Sequence, residues 1–101
     1  MGQKQVSLRH EGGSRFLARS GSGHEVVLDN AAGNTGQRPT ELALAAIGGC
    51  TAMDVVDILA KKRQVVDGYA VEVAGTQRDK PPHVYTDITV LHIVEGDFRP
   101  Y

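Results

Sequence analysis

The chain has one cysteine, Cys50, set directly after Gly48-Gly49 in the stretch Ala45-Ala46-Ile47-Gly48-Gly49-Cys50-Thr51-Ala52-Met53. The thiolate, not the thiol, is the nucleophile, so a reactive cysteine needs surroundings that favour the anion. Bringing a free thiol from a pKa of about 8.5 to about 7 takes roughly 2 kcal/mol of preferential stabilisation. A helix N-terminus supplies about 0.3 to 1 kcal/mol, whereas a charge-assisted hydrogen bond supplies about 1.5 to 3 kcal/mol. A guanidinium is therefore the better activator. The candidates are Arg9, Arg15, Arg19 and Arg38, and Glu41 could hold one of them through a bidentate pair.

Two features work against activation. On an unbroken helix, Glu41 precedes Cys50 by nine residues, about 13 Å of rise, and lies on the opposite face. Direct contact between them then requires a break at Gly48-Gly49, an arginine bridging from another segment, or a meeting across a subunit boundary. Asp54 follows Cys50 by one turn on the same face, where an unpaired carboxylate disfavours the thiolate. On pattern alone, a lone cysteine in an alanine-rich helix is more often a small packed hydrophobe than a nucleophile.

Each interior glycine costs a helix about 1 kcal/mol relative to alanine, so Gly48 and Gly49 together cost on the order of 2 kcal/mol. Two arrangements would offset that. Either the missing side chains admit a second backbone or a substrate, or the pair breaks the helix and gives Cys50 a fresh N-terminal environment.

The remaining constellations are weaker. His10, His24, His83 and His92 lack the short spacing of zinc sites, and one cysteine cannot complete such a site, so no metal and no cofactor are expected. Gly21-Ser22-Gly23 is a turn and not a dinucleotide fingerprint, since no helix follows it. No strand-turn-helix elbow surrounds any serine. Asp57 is placed to pair with Lys61 at helical spacing.

The elements that must position the thiol can be read from periodicity and turn signals. Val6 to His10, Phe16 to Ser20 and Glu25 to Asp29 read as three short strands of a meander, separated by Glu11-Gly12-Gly13-Ser14 and Gly21-Ser22-Gly23. A polar, glycine-rich connection from Asn30 to Gln37 leads to Arg38-Pro39-Thr40-Glu41. There proline suits a first-turn position and the acid meets the positive end of the helix dipole. The long helix that follows is apolar around much of its circumference and is expected to be largely buried. Lys61-Lys62-Arg63 mark its C-terminus. Asp67-Gly68 reads as a turn, Tyr69 to Val73 as a strand, Asp79 to His83 as a turn, and Val84 to Val94 as a long final strand. In that strand Ile88 and Val90 face opposite to Leu91 and Ile93, so both sides need cover. The order gives an α+β domain with one long helix laid on antiparallel sheet.

Composition sets the bounds. A chain of 101 residues supports a single core, 1–101 as one domain, and a domain this small gains stability from self-association. Eleven basic and twelve acidic residues leave a net charge of −1, which disfavours nucleic-acid and membrane-surface partners. No apolar run approaches a membrane span, and the first residues lack the apolar core of a secretory signal. A lone cysteine fits a reducing, cytoplasmic setting.

The segment Pro39-Thr40-Glu41-Leu42 through Gly48-Gly49-Cys50-Thr51-Ala52-Met53-Asp54-Val55-Val56, with Ile58-Leu59 and Lys61-Lys62-Arg63, resembles the OsmC/Ohr family of cysteine-based peroxide reductases, specifically its OsmC-like branch. The likeness extends back through Ser22-Gly23-His24 and Asp29, and forward through Arg78, Pro81-Pro82 and Tyr85-Thr86-Asp87-Ile88. It implies an intertwined α+β homodimer with a long central helix under antiparallel sheet and active sites where the subunits meet. It further implies reduction of a small hydroperoxide through a sulfenic acid on Cys50, with Arg15 pairing the thiolate and Glu41 orienting the arginine. Two departures stand out. Thr40 occupies the place where the characterised peroxidases carry the carboxylate, and Glu41 comes one residue later. The chain also reaches Tyr101 where the family continues into a second helix with a resolving cysteine and a final strand. The expected cycle is then a one-cysteine route with an external thiol as reductant. The alternative is a non-catalytic OsmC-like dimer with a structural or small-ligand-binding role.

Overall fold

The computed structural model describes residues 2–99; Met1, Pro100 and Tyr101, which fall in the terminal segments read above, lie outside the described residues. The element order is β1 (Val6–His10), β2 (Phe16–Ser20), β3 (Glu25–Leu28), α1 (Pro39–Lys61), β4 (Val65–Gln77) and β5 (Tyr85–Asp97). The strands form two antiparallel sheets, one ordered β1-β2-β3 and one pairing β4 with β5. The chain divides into two compact units, one ending at Leu42 and one beginning at Ala43.

In the N-terminal unit, the turn glycines do what the sequence asks of them. Gly12 and Gly13 take positive φ between β1 and β2, and Gly23 does so between β2 and β3. The ladder pairs Leu8 with Ala18 and Phe16 with Leu28, so these four share one face. Ala18 and Leu28 are the buried apolar side chains among the described residues of this unit.

Strand β3 stops at Leu28, one residue short of the expected Asp29, because Asp29 leaves the ladder to organise the loop. Its side chain is 3% exposed. Oδ1 accepts from Ser14 Oγ and from the Asn30 backbone N–H at 2.8 Å. Oδ2 accepts from the Thr35 hydroxyl and from the Thr35 backbone N–H at 3.1 Å. Asn30 adds a bond from Gly33 N–H to its Oδ1 at 2.8 Å, and Leu28 and Gln37 form an isolated parallel bridge. A Cβ at Gly33 would collide with the Asp29 carboxylate, so the loop requires glycine there. These donors hold the Asp29 carboxyl well below the usual carboxylate range, the Ser14 hydrogen bond most and Thr35 next, against the opposing effect of burial.

Helix α1 starts as its sequence directs. Pro39 is the first helical residue, and Glu41 Oε1 accepts from the Arg38 backbone N–H at 2.8 Å, the reciprocal half of a capping box. At the other end Arg63 takes φ 56°, Arg63 N–H bonds to Ala60 O and Gln64 N–H to Leu59 O. This is a Schellman closure made without glycine. Lys61 pairs with Asp57 at 3.0 Å, as its spacing predicts.

Between those ends the helix runs unbroken, so of the two arrangements that could offset the Gly48-Gly49 cost the break is absent. In the C-terminal unit the two glycines have different reasons. A Cβ on Gly48 would lie 2.6 Å from Val73 Cγ2, so Gly48 is where the helix presses on β4, whereas a Cβ on Gly49 would meet nothing within 4 Å. Leu44, Gly48, Ala52, Val55 and Leu59 form the inward row. Tyr69, Val71 and Val73 of β4 pair with Val94, His92 and Val90 of β5 and make the covered sheet face.

The expectation of a largely buried helix is not met within one chain. Within α1 Gly48 alone is buried, while Met53, Val56 and Ile58 are exposed at 75%, 49% and 52%. The pattern is apolar on both sides, but one chain supplies cover for only one of them. α1 is also long and apolar enough to cross a membrane by length and composition, against the reading that no segment approaches that limit. Asp54 and Asp57 and the seam with Val73 fit a helix laid on sheet instead. Leu91 and Ile93 lie on the outer face of β5, exposed at 52% and 41%.

Asp67-Gly68 is a bulge within a 13-residue β4 and not a turn: pairing passes from Val66 with Gly96 to Gly68 with Glu95, leaving Asp67 unpaired. The strand continues through it because Val65 and Val66 extend the ladder. The turn between β4 and β5 falls where expected and contains a cis Pro81-Pro82 bond.

Replacing Gly48 by valine drives a branched side chain into Val73. It should destabilise the protein by about 1 to 3 kcal/mol in urea unfolding, whereas Gly49→Ala should stabilise by up to about 1 kcal/mol. Because folding lowers the pKa of Asp29, the unfolded chain binds the proton more tightly. Its contribution is present above about pH 4 and is lost as pH falls below that value. Asp29→Asn should lower the melting temperature at neutral pH and flatten its dependence on pH in the acid range.

Candidate functional site

Helical geometry turns successive side chains by about 100°, so Cys50 lies about 200° from Gly48, on the side of α1 away from β4. Its side chain is exposed. Ile47 and Met53 flank it three residues either way, and Ala46 and Asp54 four residues either way, so the thiol sits on an apolar stripe with one carboxylate a turn later. No hydrogen bond or ion pair to Cys50 is made among the described residues. The Thr51 hydroxyl donates back to the carbonyls of Ile47 at 3.2 Å and Gly48 at 3.0 Å, so it is engaged by the helix backbone.

The other two expected site residues belong to the N-terminal unit. Arg15 sits in the β1–β2 turn, where its Nε donates to Glu11 Oε1 at 2.9 Å; its side chain is partly exposed. The carboxylate that holds this arginine is therefore Glu11, a residue the sequence reading did not single out. The signal was present as a four-residue spacing across Gly12-Gly13, whose positive φ folds Glu11 back against Arg15. Glu41 uses its carboxylate on the helix cap, as described above. Arg38, half-buried, donates from Nη1 to Asn34 Oδ1 at 2.9 Å and to Gly36 O at 3.2 Å.

Two cavities adjoin these groups, each within one unit. One of about 400 Å³ lies over Leu8, Phe16 and Leu28 and reaches Arg38. The other, about 520 Å³, lies between Met53 and Val56 of α1 and Tyr69 and Val71 of β4. The hydroxyl of its lining residue Tyr69 lies 2.7 Å from His92 Nδ1, a half-buried polar pair on the covered face of the hairpin. Among the described residues no group of three His, Cys, Asp or Glu side chains could hold a metal ion.

Known proteins share this chain's sequence and fold. Protein YhfA of Escherichia coli strain K12 is 38% identical over 92 residues, which is 91% of this chain and 69% of that protein. The crystal structure of a hypothetical protein from Aquifex aeolicus superposes with a TM-score of 0.82 at 33% identity, covering 93% of this chain and 67% of that one. An OsmC-like protein of unknown function from Vibrio cholerae superposes over the whole chain and 80% of its own length with a TM-score of 0.74. At 13% identity it shows the shared fold alone. Residues 32–98, from the Asp29 loop through the end of β5, match the family described as OsmC-like protein, and the chain belongs to that family.

Proposed function

We propose that this protein is a thiol-dependent peroxide reductase that works as a homodimer through Cys50. The single observation carrying the reading is that, within an OsmC-like chain, the one thiol is solvent-reachable on the outer face of α1 and is not packed against the sheet. In the proposed cycle the Cys50 thiolate attacks one oxygen of a small hydroperoxide. The O–O bond breaks, the alcohol leaves after taking a proton, and Cys50 becomes the sulfenic acid. An external thiol condenses with it to a mixed disulfide, releasing water. A second thiol then restores Cys50 and carries away the disulfide. Arg15 takes the thiolate-stabilising role, with Glu11 holding its Nε edge, and Glu41 serves by fixing the start of α1. Neither a cofactor nor a metal enters this cycle. The need for a thiol reductant fits the cytoplasm.

The homodimer is supported by the unpaired apolar surface. Met53, Val56 and Ile58 on α1 and Leu91 and Ile93 on β5 are large apolar side chains left exposed to solvent, which costs free energy unless a partner covers them. A second reading, a non-catalytic dimer with a structural or small-ligand role, is favoured by Asp54. That carboxylate lies one turn from the thiol and has no partner cation among the described residues.

Exposure to tert-butyl hydroperoxide followed by dimedone should label Cys50 once per chain and consume peroxide when a thiol is supplied. Cys50→Ser should abolish both; absence of any adduct would favour the second reading. Arg15→Ala should lower kcat/KM by about 10- to 100-fold, the loss of one charge-assisted hydrogen bond. Val56→Asp should convert the dimer to monomer in sedimentation experiments, and an unchanged sedimentation coefficient would count against α1 as the interface.

A further inference from the structure

Arg38 is the one cationic residue lining a cavity of mostly apolar surface, and three of the five N–H donors of its guanidinium have no acceptor among the described residues. Nη1 is committed to Asn34 Oδ1 and Gly36 O, and these bonds fix the plane of the group. Its Nε and Nη2 have no acceptor, and the side chain has no acidic partner, among the described residues. That Nε–Nη2 edge is the one whose two parallel N–H bonds match a planar carboxylate. The cavity, about 400 Å³, is walled by Leu8, Phe16, Leu28 and Pro39.

Two carboxylates near Arg38 could in principle neutralise it, and both are engaged elsewhere. Asp29 also lines the cavity, but each of its oxygens already accepts two hydrogen bonds, from Ser14 and Asn30 on Oδ1 and from Thr35 twice on Oδ2. Glu41 accepts from the Arg38 backbone N–H and forms no ion pair with the guanidinium. A half-buried cation beside apolar surface, oriented by fixed acceptors and in no direct ion pair among the described residues, is an arrangement that favours an anion with an apolar body.

We propose that this cavity is a binding site for a small hydrophobic carboxylate, its carboxyl group on the Nε–Nη2 edge of Arg38 and its apolar part against Leu8, Phe16 and Leu28. A volume near the lower limit of ligand pockets restricts the guest to a short aliphatic or single-ring acid. A planar carboxylate is favoured because its two oxygens match the two parallel N–H bonds of one guanidinium edge. The site lies wholly in the N-terminal unit and does not depend on the chemistry of Cys50.

The test is a titration with 3-phenylpropionate, followed by amide chemical shifts, alongside its neutral primary amide and acetate. The expected result is saturable shifts at Leu8, Phe16, Leu28 and Asn30, with the amide and acetate each weaker by about tenfold or more. Arg38→Gln should lose affinity for the acid by a similar factor and make acid and amide equivalent. Because Arg38 also holds the loop, Leu8→Glu provides a second variant. Leu8 is 56% exposed, so the change is tolerated, and the new carboxylate should occupy the guanidinium and block the probe. Equal binding of acid and amide to the unaltered protein, shifts that map outside the cavity, or full binding by either folded variant would overturn the proposal.

Discussion

The approach of Gly48 to Val73 sets the orientation of α1 in the C-terminal unit. At that point a side chain on the helix would overlap the sheet, so the rotation of α1 about its own axis is fixed to within a few tens of degrees. Everything said about the thiol depends on it. Once Gly48 faces β4, Leu44, Ala52, Val55 and Leu59 must face the hairpin, and Cys50 must face away. A rotation that buried Cys50 would require a larger gap between helix and strand and would leave Val71 and Val73 without packing partners. The accessibility of the sulfur is therefore a consequence of a contact made on the other side of the helix.

A different force shapes the N-terminal unit. Few apolar side chains are buried there, and the loop that leads into α1 is organised by an ionised carboxylate. Asp29 gathers donors from Ser14, Asn30 and Thr35, and Asn30 secures Gly33. A buried charge is tolerated only when it is fully hydrogen-bonded, and here both oxygens are. The same winding sets the start of α1 through the Leu28 to Gln37 bridge and the Arg38 to Glu41 cap. It also leaves Arg38 with one edge occupied and the other free. Loop order, helix entry and the unmatched guanidinium are thus three results of one polar network.

The apolar residues on the outer side of α1 and on the outer face of β5 pose a common question, since the described residues cover one side of the helix and one face of the hairpin. Their distribution explains why the helix reads as buried from its composition and yet is exposed in one chain. Hydrophobicity records the total area that must leave water and not which molecule removes it. Membership of the OsmC-like family and the solitary thiol within that stripe link the question of cover to the question of chemistry.

Much of this architecture was legible without coordinates. The three short strands, the turn glycines, the Pro39 to Glu41 helix start, the Lys61 to Arg63 terminus and the Asp57 to Lys61 pair all follow from local preferences, which act over a few residues and are written into them. Cys50 as the residue to watch was equally plain, being the only one of its kind. What local reasoning missed depended on groups distant in sequence. Asp67-Gly68 has the composition of a turn, but pairing with Gly96 and Glu95 nearly thirty residues later made it a bulge. The glycine pair could be read as a break or a contact, and only the position of Val73 decided for contact, at Gly48 alone. Glu41 had the charge to orient an arginine, yet the backbone N–H of Arg38 was nearer, and Glu11 took Arg15 because a left-handed turn brought it there. The sequence by itself determined which residues could do chemistry and which segments would carry them. The tertiary structure decided which partners those residues found, because hydrogen bonds and close packing are settled by distances that no local pattern encodes.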